Sequence, residues 1–182
     1  GFSSYWCTGT LLNNTRQDNT PYFLTADHCG PNSTPSEMQQ WIFYFRYEAP
    51  GCDNVANDTA FNFYTMVGAQ KKASSGGAGV DSDFKLMLLN HAVPVDYQPF
   101  YNGWDVSNDV SNTGVTIHHP EGDVKKISTY TTPLISTNWG NTPNTHWEVV
   151  CSATATNHGV TEAGASGSPI FDSQGRVIGQ LT

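Results

Sequence analysis

A chain of 182 residues has room for one domain with a sizeable core or for two small barrels. Its formal net charge of −8 leaves no basic patch for phosphates, so nucleic acid is not an expected partner, and an anionic membrane surface is disfavoured for the same reason. Only 13% of residues are charged, and Ser, Thr, Asn and Gly fill much of the remainder, a mixture that suits a secreted all-β protein better than a helical intracellular one.

Residues 5–12 (YWCTGTLL) read as a strand, closed by the turn-prone Asn13-Asn14-Thr15. Tyr22-Phe23-Leu24-Thr25-Ala26 is a second strand, rich in β-formers, and it runs directly into Asp27-His28-Cys29-Gly30. Four cysteines, Cys7, Cys29, Cys52 and Cys151, include no CxxC pair, so they favour disulfides over a metal ribbon. A Cys7–Cys29 bridge would tie one strand to the end of the next and hold His28 in a fixed place. Alone, a histidine at a strand end is more often a structural or surface residue than a catalytic one.

Residues 41–47 (WIFYFRY) are a near-continuous apolar run and are expected to form a well-buried strand; residues 61–67 form another. The Gly- and Ser-rich residues 73–80 read as a linker. They deliver the chain to Asp81-Ser82-Asp83, which borders the apolar run 84–89. Asp83 touches that run directly and is the better candidate for a buried carboxylate, which needs a partner such as a histidine N–H. Residues 95–114 read as the connection between two halves. Residues 115–118, 125–130, 146–150 and a hairpin across Asp172-Ser173-Gln174-Gly175 complete nine or ten short strands. His118 and His119 are adjacent in a strand and point to opposite faces, so no shared metal ion is expected.

Near the end stands Gly164-Ala165-Ser166-Gly167-Ser168-Pro169. Glycines on both sides let the backbone turn sharply and expose the serine oxygen. The N–H groups of Gly164 and Ser166 could then converge on one point, as an oxyanion hole requires. Read by itself the stretch is an ordinary Gly/Ser turn. It gains meaning from a base and an acid elsewhere, and His28 and Asp83 supply that combination.

Three blocks, Thr25-Ala26-Asp27-His28-Cys29, Asp83-Phe84-Lys85-Leu86-Met87-Leu88 and Gly164-Ala165-Ser166-Gly167-Ser168-Pro169, resemble the signature blocks of chymotrypsin-like serine proteases, in that family's order. The chain is most similar to the bacterial lysyl endopeptidase branch. Cys7-Thr8-Gly9-Thr10-Leu11-Leu12, Ile117-His118-His119-Pro120, Gly159-Val160-Thr161-Glu162 and Val177-Ile178-Gly179-Gln180-Leu181 extend the likeness over nearly the whole chain. The resemblance implies an all-β fold of two antiparallel β-barrels. The first would span residues 1–95 and the second 96–182, with the active site in the cleft between them. It implies His28 as general base, Asp83 as its orienting acid and Ser166 as nucleophile, with Gly164 and Ser166 donating to the oxyanion. Thr161 and Glu162 would line the pocket for the side chain before the scissile bond, Glu162 favouring a basic one, and Trp139 would lie near the histidine. The expectation is a secreted (extracellular or periplasmic) bacterial serine endopeptidase, monomeric, acting on polypeptides after Lys or Arg, with no cofactor, metal, nucleic acid or membrane involved. The alternative is a catalytically impaired or truncated protease-like binding module.

The chain departs from the pattern in three places. Ala165 stands where trypsin-type enzymes carry the aspartate that pairs with a new N-terminus. Only 16 residues follow Ser166, so the second barrel is expected to be incomplete and the chain a fragment. Cys52 has its usual partner upstream of Gly1 and is expected either unpaired or joined to Cys151.

Overall fold

The computed structural model describes residues 5–51, 64–77, 81–153 and 159–182, and the architecture is all-β. β1 (Thr10–Leu12), β2 (Tyr22–Ala26), β5 (Ala69–Ser74) and β6 (Phe84–Leu89) form an antiparallel sheet in the order β1-β2-β6-β5. β3 (Ile42–Phe45) and β4 (Tyr64–Val67) make a separate two-stranded ribbon. Later in the chain, β7 (Gly114–His118), β8 (Lys126–Tyr130), β11 (Pro169–Phe171) and β12 (Val177–Gln180) pair in the order β12-β11-β7-β8. β9 (Ile135–Trp139) and β10 (Thr142–Glu148) pair with each other. Among the described residues, the strands up to residue 89 thus pair with one another, and so do those from residue 114 onward.

The central pairing is β2 with β6, which sets Leu24 opposite Leu86 and Ala26 opposite Phe84. β6 alternates between buried and half-buried positions, so Lys85, Met87 and Leu89 share its inner side. Met87 and Leu89 pack with Leu11, Met38, Phe43, Met66, Ala69 and Val93. A second cluster gathers Tyr130, Leu134 and Ile170, flanked by Trp147, Val149 and Ile178. α1 (Pro35–Met38) is a single turn capped by Thr34 and Glu37, and it drops Met38 into the first core. The connector is pinned to both sets of strands: Asn102 bridges Leu12 of β1 and Trp104 bridges Val177 of β12.

Several strands differ from the sequence expectation for identifiable reasons. β3 is not buried on both faces. It belongs to a two-stranded ribbon, so Phe43 turns inward while Ile42 and Tyr44 remain exposed. β5 and β9 carry no sequence signal because most of their positions are exposed and neither has an apolar alternation. β10 begins at Thr142, ahead of the apolar run that announces it, and β1 is confined to Thr10–Leu12. The expected strand over 61–67 is described only as Tyr64–Val67.

Candidate active site

His28 sits in a one-turn 3-10 helix (Asp27–Cys29) at the end of β2. Asp83 stands one residue before β6, and the β2–β6 pairing brings the two together. The Asp83 side chain is fully buried and its backbone is left-handed, with φ of 57°. Aspartate tolerates that region better than most residues. The unusual backbone aims Asp83 three ways at one turn. Its carbonyl accepts the Asp27 N–H at 2.6 Å, Oδ1 accepts the His28 N–H at 2.9 Å, and Oδ2 lies 2.6 Å from His28 Nδ1. A carboxylate only accepts, so Nδ1 carries the proton and Nε2 faces outward as an acceptor. The hydrogen bond from Asp83 raises the His28 pKa above the ordinary imidazole value, against the opposing effect of partial burial.

Ser166 reaches the same region through its backbone. Its carbonyl accepts the Thr8 N–H at 2.8 Å and lies 3.8 Å from the disulfide sulfur of Cys29, which has no proton to donate. The Cys7–Cys29 disulfide joins the two neighbours of that contact, so the expected bridge is present beside both His28 and Ser166. Thr8 ties the serine loop down further: Oγ1 donates to the Gly164 carbonyl at 2.9 Å and accepts the His119 N–H at 3.1 Å. Gly167 is required for close approach. Its φ is +83°, and a Cβ there would meet Thr25 Oγ1 at 2.3 Å and the Thr8 carbonyl at 2.4 Å.

Within the loop, most N–H groups are engaged. Ala165 donates to the Glu162 carbonyl, Gly167 to Leu181 and Ser168 to Ala165. The N–H groups of Gly164 and Ser166 have no backbone acceptor among the described residues. No hydrogen bond joins Ser166 Oγ to His28 Nε2 among the described residues, and such contacts commonly tighten only with substrate in place.

Thr161 and Glu162 are exposed on the approach to this loop. Trp139 lies on β9, half-exposed, its ring 6.0 Å from that of His146; no contact ties it to His28 among the described residues. Cys151 has no disulfide partner among the described residues, and Cys52 lies outside them. His118 ends β7 and His119 follows it. His118 is buried against Ser128, and His119 Nδ1–H donates to the Asp123 carbonyl at 3.0 Å. Burial lowers the pKa of both. Among the described residues no helix is long and apolar enough to cross a membrane.

Sequence reasoning missed two groups that shape the site. Thr8 had only its place in the Cys7-Thr8-Gly9 block to mark it. Asp27 and Lys85 form a buried pair directly behind His28, with Lys85 Nζ 3.2 Å from Asp27 Oδ1. A charge inside an apolar run reads as an outward position, and here it points inward.

The whole chain, residues 1–182, matches the family described as the C-terminal domain of lysyl endopeptidase. A lysyl endopeptidase of Pseudomonas aeruginosa is 32% identical over 132 residues, which cover 69% of this chain and 26% of that protein. The chain therefore spans about a quarter of the length of that curated relative. Among solved structures, it is similar to a thermostable serine protease, AL20, from an extremophilic microorganism, with a TM-score of 0.57 and 13% identity over 96% of this chain and 74% of that one. It is also similar to Deg5, with a TM-score of 0.53 and 13% identity over 93% of this chain and 69% of that one. At such identities the likeness speaks for the fold, which is of the chymotrypsin type.

Proposed function

The chain belongs to the lysyl endopeptidase family of serine proteases, and on that premise we propose that it is a secreted serine endopeptidase working through an acyl-enzyme. The observation that carries this reading is the His28–Asp83 pair beside a serine loop in which the Gly164 and Ser166 N–H groups have no backbone acceptor among the described residues. Ser166 Oγ attacks the scissile carbonyl carbon while His28 Nε2 takes its proton. The buried Asp83 carboxylate keeps the proton on Nδ1 and stabilises the imidazolium. The Gly164 and Ser166 N–H groups receive the negative charge that develops on the carbonyl oxygen. His28 Nε2 then protonates the leaving amine, and water releases the acyl group by the reverse sequence. Polypeptides are the substrates, and the Cys7–Cys29 disulfide supports an oxidising, extracytoplasmic setting.

Specificity is assigned to Thr161 and Glu162, exposed beside the loop, and to the exposed ring of Trp139. A carboxylate at Glu162 favours a lysine or arginine before the cleaved bond. The intact His28, Asp83 and Ser166 disfavour a non-cleaving binding module. The test compares hydrolysis of peptides with Lys, Arg and Leu before the cleaved bond, by the chain and by Glu162→Gln. Preference for Lys and Arg that falls at least about tenfold in the variant is expected. An unchanged preference would remove Glu162 from the pocket.

A further inference from the structure

Lys85 is an anomaly for its place. It lies on the inner side of β6 between Asp83 and Met87, with its side chain 1% exposed. Burying an ammonium is costly unless it is paired and hydrogen-bonded. Its two aligned hydrogen bonds go to backbone carbonyls, Asp27 O at 3.1 Å and Gly30 O at 2.6 Å. Those carbonyls stand at the two ends of the turn that carries His28. The Asp27 carboxylate, 6% exposed, lies 3.2 Å away at Oδ1, close enough for strong attraction but without hydrogen-bond alignment. The Trp41 ring covers the ammonium at 5.4 Å from its centroid. Asp83, one residue ahead of β6, and Lys85, its second residue, both reach the turn that carries His28. One strand start therefore grips the imidazole through Asp83 and the surrounding turn through Lys85.

We propose that Lys85, paired with Asp27, is a positioning residue for His28, clamping both ends of its turn and balancing the charge beneath its ring. The clamp acts through the backbone and touches no substrate. The pair also matters electrostatically, because two charges of opposite sign stand behind a group that must gain and lose a proton. The charged groups acting on His28 are Asp83 at the head of β6, Asp27 in its own turn and Lys85 on β6. Asp83 and Asp27 favour the imidazolium, and Lys85 opposes it. Lys85 itself is pulled below the ordinary lysine value by burial, against the pull of Asp27. The inference rests on the peptidase reading only for its effect on rate; the effect on His28 stands independently.

The test is an NMR titration of the His28 ring in the full chain, which requires no turnover. Lys85→Met leaves Asp27 unopposed and is expected to move the His28 midpoint up. Asp27→Asn leaves Lys85 unopposed and is expected to move it down. Folded single variants that both titrate like the wild type would overturn the proposal, since a merely structural pair changes unfolding but not the ring's proton affinity. A second arm uses Asp27→Ala/Lys85→Met, which leaves no unpaired buried charge and survives if either single variant fails to fold. Its rate of fluorophosphonate labelling at Ser166 is expected to fall by about tenfold to a hundredfold, the scale of a misplacement near 1 Å. A folded double variant labelled at the wild-type rate would overturn the clamp. A wild-type chain that is not labelled would contradict the peptidase reading, and the titration would still decide the role of the pair.

Discussion

At the residue scale the site depends on Asp83. Its fully buried carboxylate makes two connections to one turn and its backbone carbonyl a third, holding the ring, its tautomer and the turn's first N–H together. The sign of its effect on pH dependence follows directly. A general base must be neutral to accept a proton, and the Asp83 hydrogen bond favours the charged ring. The acid limb of kcat/KM is therefore expected to have its midpoint above the ordinary imidazole value of about 6.5. Asp83→Asn is expected to lower that midpoint and to cut kcat by roughly 10³–10⁴-fold, the scale seen when the orienting acid of such a triad is lost. A wild-type midpoint at or below the ordinary value would show that Asp83 does not govern the ring. Asp83 was legible in the sequence because it borders an apolar run. Its left-handed backbone was not, since that follows from where β2 and β6 bring the turn.

At the element scale the serine loop is held by neighbours far away in sequence. Thr8 grips it from 156 residues distant, and Thr25 presses against Gly167. The glycines were legible as a sharp turn, but their fit was not, because a sequence does not print what a Cβ would strike. Gly167→Ala adds a methyl between two oxygens and keeps a left-handed φ. It is expected to cost about 2–3 kcal/mol, read as a lowered unfolding midpoint and weakened turnover. An alanine variant as stable as the wild type would mean the approach to Thr8 and Thr25 relaxes freely. The same limit explains the missed strands. β2 and β6 announce themselves through apolar β-formers, whereas β5 and β9 are mostly exposed, lack an apolar alternation and are visible through their pairing partners.

At the scale of the whole molecule, two sets of strands meet through a few long-range links. The Ser166 carbonyl accepts the N–H of Thr8, two residues ahead of β1. Gln180 of β12 reaches back to the Ser82 carbonyl beside Asp83 at 3.1 Å. The order of the three blocks in the sequence pointed to the family and the fold class. The burial of Lys85 against Asp27 came only with the structure, since alternation along β6 turns inward a residue whose charge suggests solvent.

The measurement that bears most directly on the account is fluorophosphonate labelling of the chain and of Ser166→Ala, with peptide mapping of the adduct. The reagent forms a stable bond only with a serine whose proton is drawn off by a base and whose developing oxyanion is received by N–H donors. Labelling confined to Ser166 and lost in the variant is the predicted result. A folded chain that takes no label, or takes it at another residue, would contradict the assembly of His28, Asp83 and Ser166 into one catalytic site.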